Sequence, residues 1–497
     1  LALLLNVMLT IDAVAAFRFA RGEEFERLRQ TMISSATVPS VAERRGDFSE
    51  LLTSNPVYGS SRIIKDPLTG AAFPGNIIPT SRLSTNGLAM LNAYPLPLAG
   101  YQSGSNNWTS SNGQPANQHK DTFRVDYNIT STEALVFRGS LWHWDQWDAF
   151  SDATNHVRRH SHNLGDTSVV SLLSTLSPTL VNEFSISANK DSYTNDLATD
   201  TPMGGLRSKF GITYPLIYPN NKQIPDKIPT IEISNFTTID GTSSPLHSAG
   251  PIYQISDNIT KTLGNHTIKA GFLFDRSGEN DLDQISGSAT AGGTNNQNGD
   301  FQFRDSTTGG AGLALANAAL GRFDSYAEYG QKNYTLFRSN SFDLFVQDGW
   351  KVNPKLRLEF GVRYNYWPGF YAEWNNFAEF RPSFYDASKA AVVNPVTGLI
   401  VSGNRYNGVV LPGCGWPNGA KGRLDAAGDP QFDSLFHCLD RSLANTPKNV
   451  FEPRLGLAYS LNSKTAIRAA PGVFHYPMLN DDSNHTGANP PVQALTQ

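Results

Sequence analysis

Apolar and polar residues alternate with a period of two along much of this chain, the pattern of strands that present one apolar face. The clearest run places Leu356, Leu358, Phe360, Val362, Tyr364 and Tyr366 on one face and Arg357, Glu359, Gly361, Arg363 and Asn365 on the other. Its length is about that of a membrane-spanning strand. Upstream, Phe342, Leu344 and Val346 alternate with Asp343, Phe345 and Gln347. Between the runs, Val352-Asn353-Pro354-Lys355 has turn chemistry, because proline donates nothing to a ladder and asparagine tolerates tight turns. Together they predict a hairpin.

The unit recurs. Phe123, Val125, Tyr127 and Ile129 alternate with Arg124, Asp126 and Asn128, and Thr130-Ser131-Thr132 turns the chain into a strand over Leu135 to Trp144. Val169 to Leu176 turns through Ser177-Pro178 into Leu180 to Ala188, and Ile252 to Lys261 turns through Gly264-Asn265 into Thr267 to Phe274. Leu455 to Leu461 turns through Asn462-Ser463 into Thr465 to Phe474. Five such hairpins predict about ten strands.

Every turn within a hairpin is short, whereas the connections between hairpins run from roughly twenty to more than eighty residues. Short turns on one side and long loops on the other are the pattern of an outer-membrane barrel, while structureless loops beyond about 15 residues count against a compact soluble domain. The predicted fold is all-β: a partial transmembrane antiparallel β-barrel over residues 17–497, with long loops at about 28–120, 191–251, 276–341 and 367–453. Arg357, Glu359 and Arg363 are then expected to face the lumen, and Leu356, Leu358, Phe360 and Val362 to face lipid. Trp142, Trp144 and Trp147 after one strand, and Tyr364, Tyr366 and Trp367 after another, fit an aromatic girdle at the membrane interface.

Two of the loops are Pro-rich. Leu28 to Gly100 contains Asp66-Pro67-Leu68-Thr69-Gly70 and Tyr94-Pro95-Leu96-Pro97, with one short helix predicted around Leu83 to Ala93. Pro382 to Asn449 contains Asn394-Pro395-Val396-Thr397-Gly398 and Leu411-Pro412-Gly413-Cys414-Gly415. Such loops are where recognition usually sits.

Composition agrees with strands. Of 497 residues, 39% are hydrophobic and 11% aromatic, with 42 glycines, and the mean hydropathy of -0.34 is what strands apolar on one face produce. The net charge of -4, with Lys and Arg scattered, leaves no basic stripe for a phosphate backbone, so nucleic acid is not an expected partner. Cys414 and Cys438 leave a single disulfide open to an oxidising compartment and exclude a zinc ribbon. The apolar run Leu1 to Ala16 is shorter than the roughly 20 residues of a spanning helix. It ends in small residues, as a signal peptide does, but lacks a basic n-region.

Catalytic chemistry is not expected. There is no His-Glu-x-x-His, no Gly-x-Ser-x-Gly and no Walker loop. The carboxylate pairs Asp145 with Asp148 and Asp481 with Asp482 read as solvated loop acids rather than as an acid–base pair or calcium ligands. His156, His160 and His162, with His143 upstream, form the only histidine cluster. Arg158 and Arg159 adjoin it and no Cys or acidic ligand has the right spacing, so it reads as a solvated loop; no metal, cofactor or enzymatic activity is expected.

Several segments resemble one family. They include Ala36-Thr37-Val38-Pro39 with Gly46-Asp47-Phe48-Ser49, then Phe73-Pro74-Gly75-Asn76-Ile77-Ile78-Pro79 and Leu91-Asn92-Ala93-Tyr94-Pro95. Further along come Ser177-Pro178-Thr179-Leu180-Val181-Asn182-Glu183-Phe184, Phe345-Val346-Gln347-Asp348-Gly349-Trp350-Lys351 and Pro453-Arg454-Leu455-Gly456-Leu457-Ala458-Tyr459. In this order, from Phe17 to Phe474, they resemble the Oar-like TonB-dependent receptors of acidobacterial type. Full-length members of that family carry a carboxypeptidase-regulatory-like domain, a plug and a large barrel.

The resemblance implies the central part of a plugged barrel of about 22 strands in the outer membrane of a Gram-negative bacterium. It further implies an unknown extracellular solute, uptake driven by a TonB-type energy coupler, and contact with outer-membrane lipid. A surface adhesion barrel without transport is the other function carried forward. No plug-like stretch precedes Phe17 and no terminal aromatic residue follows the last hairpin, so both ends are expected to be truncated. Ala469-Ala470-Pro471-Gly472 departs from the family's usual strand, and Pro471 predicts a bend or bulge there.

Overall fold

The structure, a computed structural model, describes residues 17–100, 104–282, 294–394, 400–477, 485–489, 491–492 and 495–496. The run Leu1 to Ala16 and the pair Asp481 and Asp482 lie outside the described residues.

The expected hairpins form one antiparallel sheet in which each long strand pairs with the next in sequence. The strands are β1 (Phe17–Ala36), β2 (Trp108–Asn128), β3 (Glu133–Trp147), β4 (Arg158–Ser177), β5 (Leu180–Ala198) and β6 (Leu246–Leu263). They continue with β7 (His266–Asp281), β8 (Thr335–Asn353), β9 (Leu356–Tyr366), β10 (Val450–Asn462) and β11 (Thr465–Ala469). A two-residue strand, Tyr371–Ala372, adds to the long-loop end of β8 and makes the sheet twelve-stranded. The tight turns form as their residues require: Asn353 Oδ1 accepts the backbone N–H groups of Lys355 at 2.9 Å and Leu356 at 3.0 Å. Asn462 Oδ1 does the same for Lys464 at 2.9 Å.

Direct antiparallel partners share a face, so the register assigns the two faces residue by residue. Phe19, Val125, Phe137, Val170, Ile186, Ile255, Phe274, Phe342 and Tyr366 are successive partners across β1 to β9. This is one unbroken apolar row. On β9 and β10 the apolar rows lie nearer the short turns, where Phe360 meets Leu455 and Leu358 meets Leu457. The belt therefore runs diagonally over the strands, as barrel tilt demands. At Gly139 the absence of a side chain is required, since a Cβ there would lie 2.2 Å from the ring of its partner Phe123.

Four results differ from the sequence reading. First, β1 was not anticipated, and β1, β2, β4, β5 and β8 extend to 19–21 residues. The long loops are therefore 37–107, 199–245, 282–334 and 367–449. Beyond the belt the same face carries Glu23, Asp121, Asp166 and Lys190, so the period-2 signal is lost although the ladder continues. Second, β3 and β4 are joined by residues 148–157 alone, a short connection at the long-loop end. Third, the tryptophans of β3 do not form one girdle. Trp142 and Trp144 have opposite parity to Leu135, Phe137 and Leu141 in an unbroken register, and so occupy the polar face opposite Lys120 and Gln118; Trp147 is on the apolar side. Trp367 likewise turns to the polar face, where its Nε1 donates to Asp343 at 2.8 Å.

Fourth, β11 ends at Ala469, and pairing continues around Pro471 through its carbonyl, which accepts Leu455 N–H at 2.9 Å. Val473 N–H then donates to the Pro453 carbonyl at 3.0 Å. Proline supplies no donor, and the ladder uses its acceptor instead.

Candidate functional site

All long loops leave the same end of the sheet and fold into an ordered cap. The first three pack around one core in which Phe48, Leu51, Leu91, Ile231, Phe303 and Leu315 are fully or almost fully buried. Helix α1 (Thr85–Ala93) is capped by Ser84, whose hydroxyl accepts Gly87 N–H, and it packs on a short helix at Ala314–Ala319. Gly87 makes that approach feasible, because a Cβ there would lie 2.1 Å from the Ala318 carbonyl oxygen. The cap also has strands of its own, Thr230–Ile233 parallel to Asp300–Phe303, which is antiparallel to Ser325–Tyr329.

Buried charge ties the loops together. Lys222 Nζ donates to Glu328 Oε1 at 2.7 Å with both side chains fully buried, and also to the Tyr329 carbonyl at 2.9 Å. Glu328 accepts the N–H groups of Ile217 and Tyr218 at 2.9 and 3.0 Å. Lys227 Nζ donates to the carbonyls of Thr242 and Ser244, and its burial lowers its pKa far below the usual lysine range. Asp300 is pushed up to about 8, first by burial and then by Glu232 and Asp240 nearby, and its Oδ1 is buried without a hydrogen-bond partner. Burial raises Glu43 to about 7, although its carboxylate accepts Ser40 N–H at 2.8 Å.

The fourth loop has small cores of its own, one that packs Phe377 and Val410 against Phe337 of β8 and one around Leu411, Phe432 and Leu435. Cys414 and Cys438 meet in this loop as a disulfide pair, their Cα atoms 4.1 Å apart. Gly413 N–H donates to the Leu439 carbonyl beside them at 3.1 Å. Phe380, Tyr385, Val392, Val393, Ile400 and Val401 are exposed on the same loop.

Below the cap, the polar face of β8 to β10 carries charge in rows. Arg357, Glu359 and Arg363 share the face with Asn365, which is fully buried, and with the cross-strand partners Asp343, Glu452 and Arg454. Arg357 pairs with Glu359 at 3.0 Å, Arg454 with Glu452 at 3.2 Å, and Arg363 approaches Asp343 at 3.8 Å. Leu356, Leu358, Phe360 and Val362 lie on the opposite face.

The histidines separate. His156 lies in the β3–β4 connection, fully buried, with Nε2 donating to the Ala93 carbonyl at 2.8 Å and Nδ1 3.1 Å from Asp152. It fastens that connection to α1. His160 and His162 are on β4 rather than in a loop, and Asp145 of β3 meets both. Asp148 is engaged separately, by Arg159 at 2.7 Å.

No curated protein matches this sequence. A solved structure, the siderophore receptor PirA from Pseudomonas aeruginosa, is similar over 71% of this chain at 7% identity with a TM-score of 0.27, and the chain spans 46% of that receptor's length. A family model described as an outer membrane beta barrel domain matches residues 15–497, and the chain belongs to that family of outer-membrane proteins.

Proposed function

We propose that this chain is the barrel part of a TonB-dependent receptor, which captures a large solute on its long loops for energy-coupled uptake and catalyses no reaction. On this reading the diagonal apolar belt meets lipid, the face of Arg357, Glu359 and Arg363 lines the lumen, and the cap is extracellular. The observation that carries it is the cap itself. Loops with their own cores, buried ion pairs and a disulfide pair hold a fixed surface, and a fixed surface binds without the entropy of ordering mobile chain. This reading requires a plug and a TonB-type energy coupler as partners of the barrel.

Uptake separates this reading from adhesion. Cells with and without the gene are offered a panel of labelled oligosaccharides, peptides and metal chelates, with and without an agent that collapses the inner-membrane proton gradient. Gene-dependent accumulation that stops on uncoupling is the expected result. Gene-dependent binding that uncoupling leaves unchanged, with no accumulation, replaces it with adhesion.

A further inference from the structure

On the apolar face of β3 and β4, nearer the cap than the row of Leu141 and Asp166, three potential metal ligands converge. His160 Nε2 lies 2.9 Å from Asp145 Oδ2, and His162 Nδ1 lies 3.1 Å from the same oxygen. One ligand atom from each of the three residues lies within 4.8 Å of the other two. We propose that Asp145, His160 and His162 bind a divalent transition-metal ion of the Zn2+ class, held on the outer wall beside the cap.

The two separations fit a metal site with three protein ligands. Bonds of about 2.0–2.2 Å in a tetrahedron place ligand atoms roughly 3.3 Å apart, close to both observed separations. Two imidazoles and one carboxylate select borderline ions such as Zn2+ over Ca2+ or Mg2+, which prefer all-oxygen shells. An open fourth position is left to water.

Neighbouring groups fix the ligands. Asp196 Oδ2 sits 3.6 Å from His162 Nε2, the nitrogen turned away from Asp145, so it favours the tautomer with Nδ1 free for a metal. His160 is stacked on Trp147, with ring centroids 4.1 Å apart and planes 9° from parallel. The arginines that argue against a cation in the sequence are occupied elsewhere. Arg158 donates to the carbonyls of Asp148 and Gly113, and Arg159 to the Asp148 carboxylate. A second cluster, Glu23, His119 and Asp121, is a poorer site because Arg21 lies 3.5 Å from Glu23 and 3.2 Å from Asp121, and it has a single imidazole.

The experiment uses the full chain folded in detergent, with Co2+ as the spectroscopic probe and Zn2+ as competitor. Wild type is expected to take up one Co2+ with the visible absorption of a low-coordinate site, and Zn2+ is expected to displace it. His160→Ala and His162→Ala should abolish that spectrum, Asp196→Asn should weaken binding roughly 10–100-fold, and His119→Ala should leave it intact. Asp145→Asn, which keeps the side chain's shape and removes its charge, should weaken Co2+ binding in a chain that still folds, so that loss of the site is read apart from loss of the fold. Absence of a saturable spectrum in wild type, or its persistence in both histidine variants, overturns the proposal.

Discussion

Lys222 and Glu328 face each other at 2.7 Å from two different loops, 199–245 and 282–334, with no exposed surface on either side chain. Removing one partner leaves the other charge buried and alone, which costs about 3–5 kcal/mol. Lys222→Met is therefore expected to open the cap to protease while the strands remain folded, with cleavage confined to the loops 199–245 and 282–334. Lys222→Met combined with Glu328→Gln, which removes the charge but still accepts the Ile217 and Tyr218 N–H groups, should recover much of the resistance. Limited proteolysis with mass mapping reads both results.

Leu358→Arg places a charge on the apolar face between Trp350 and Leu457. If the belt meets lipid, the loss in folding stability in vesicles is roughly 2–4 kcal/mol near the bilayer midplane and less toward either interface. Arg357→Leu, one residue away on the polar face, should change far less. Denaturant titration of both variants in the same lipid decides the orientation, and equal effects would refute it.

Asp300 gives the cap an acid-side dependence on pH. Its folded pKa of about 8 lies above the ordinary 3.8, so the folded cap binds a proton that the unfolded loop releases. Its contribution is fully present below about pH 4 and is lost as pH rises through about 8. Glu43, at about 7, acts in the same direction, whereas Lys227, lowered far below 10.5, gains with rising pH. Asp300→Asn should flatten the decline between pH 5 and 8, a difference measurable by hydrogen exchange of the cap amides.

Cys414 and Cys438 should stay joined in protein kept free of reductant, and intact-mass analysis after alkylation checks this. Closing a loop of 24 residues contributes about 3 kcal/mol in the chain-entropy account. Cys414→Ser should accordingly speed exchange of amides around Val410 and Leu435 and leave those of β9 unchanged.

The hairpins were legible because lipid-facing strands need apolar residues at every second position and because Asn353 and Asn462 carry turn chemistry. What lay beyond the belt was not. Strand β1 contains Glu23-Glu24-Phe25-Glu26-Arg27, which has no period-2 signal, since solvent tolerates either kind of residue on that face. Counting parity from Leu141 would have moved Trp142 and Trp144 to the polar face. The meeting of Asp145 with His160 and His162 depends on the register between β3 and β4, and no spacing along the chain encodes that. The buried lysines of the cap were equally hidden, because Lys222 and Lys227 sit in loop sequence indistinguishable from solvated chain.

The length of the strands has a consequence for what a surface-bound molecule experiences. Twenty residues of β4 span about 66 Å along the strand, or roughly 47 Å of height at a tilt near 45°, against an apolar band about 25 Å tall. The wall thus stands about 20 Å proud of the hydrocarbon, and the cap rides on top of it like a lantern on a post. On the proposed orientation, a molecule held on the cap sits above the headgroups and must travel the height of the post before it reaches the plane of the membrane.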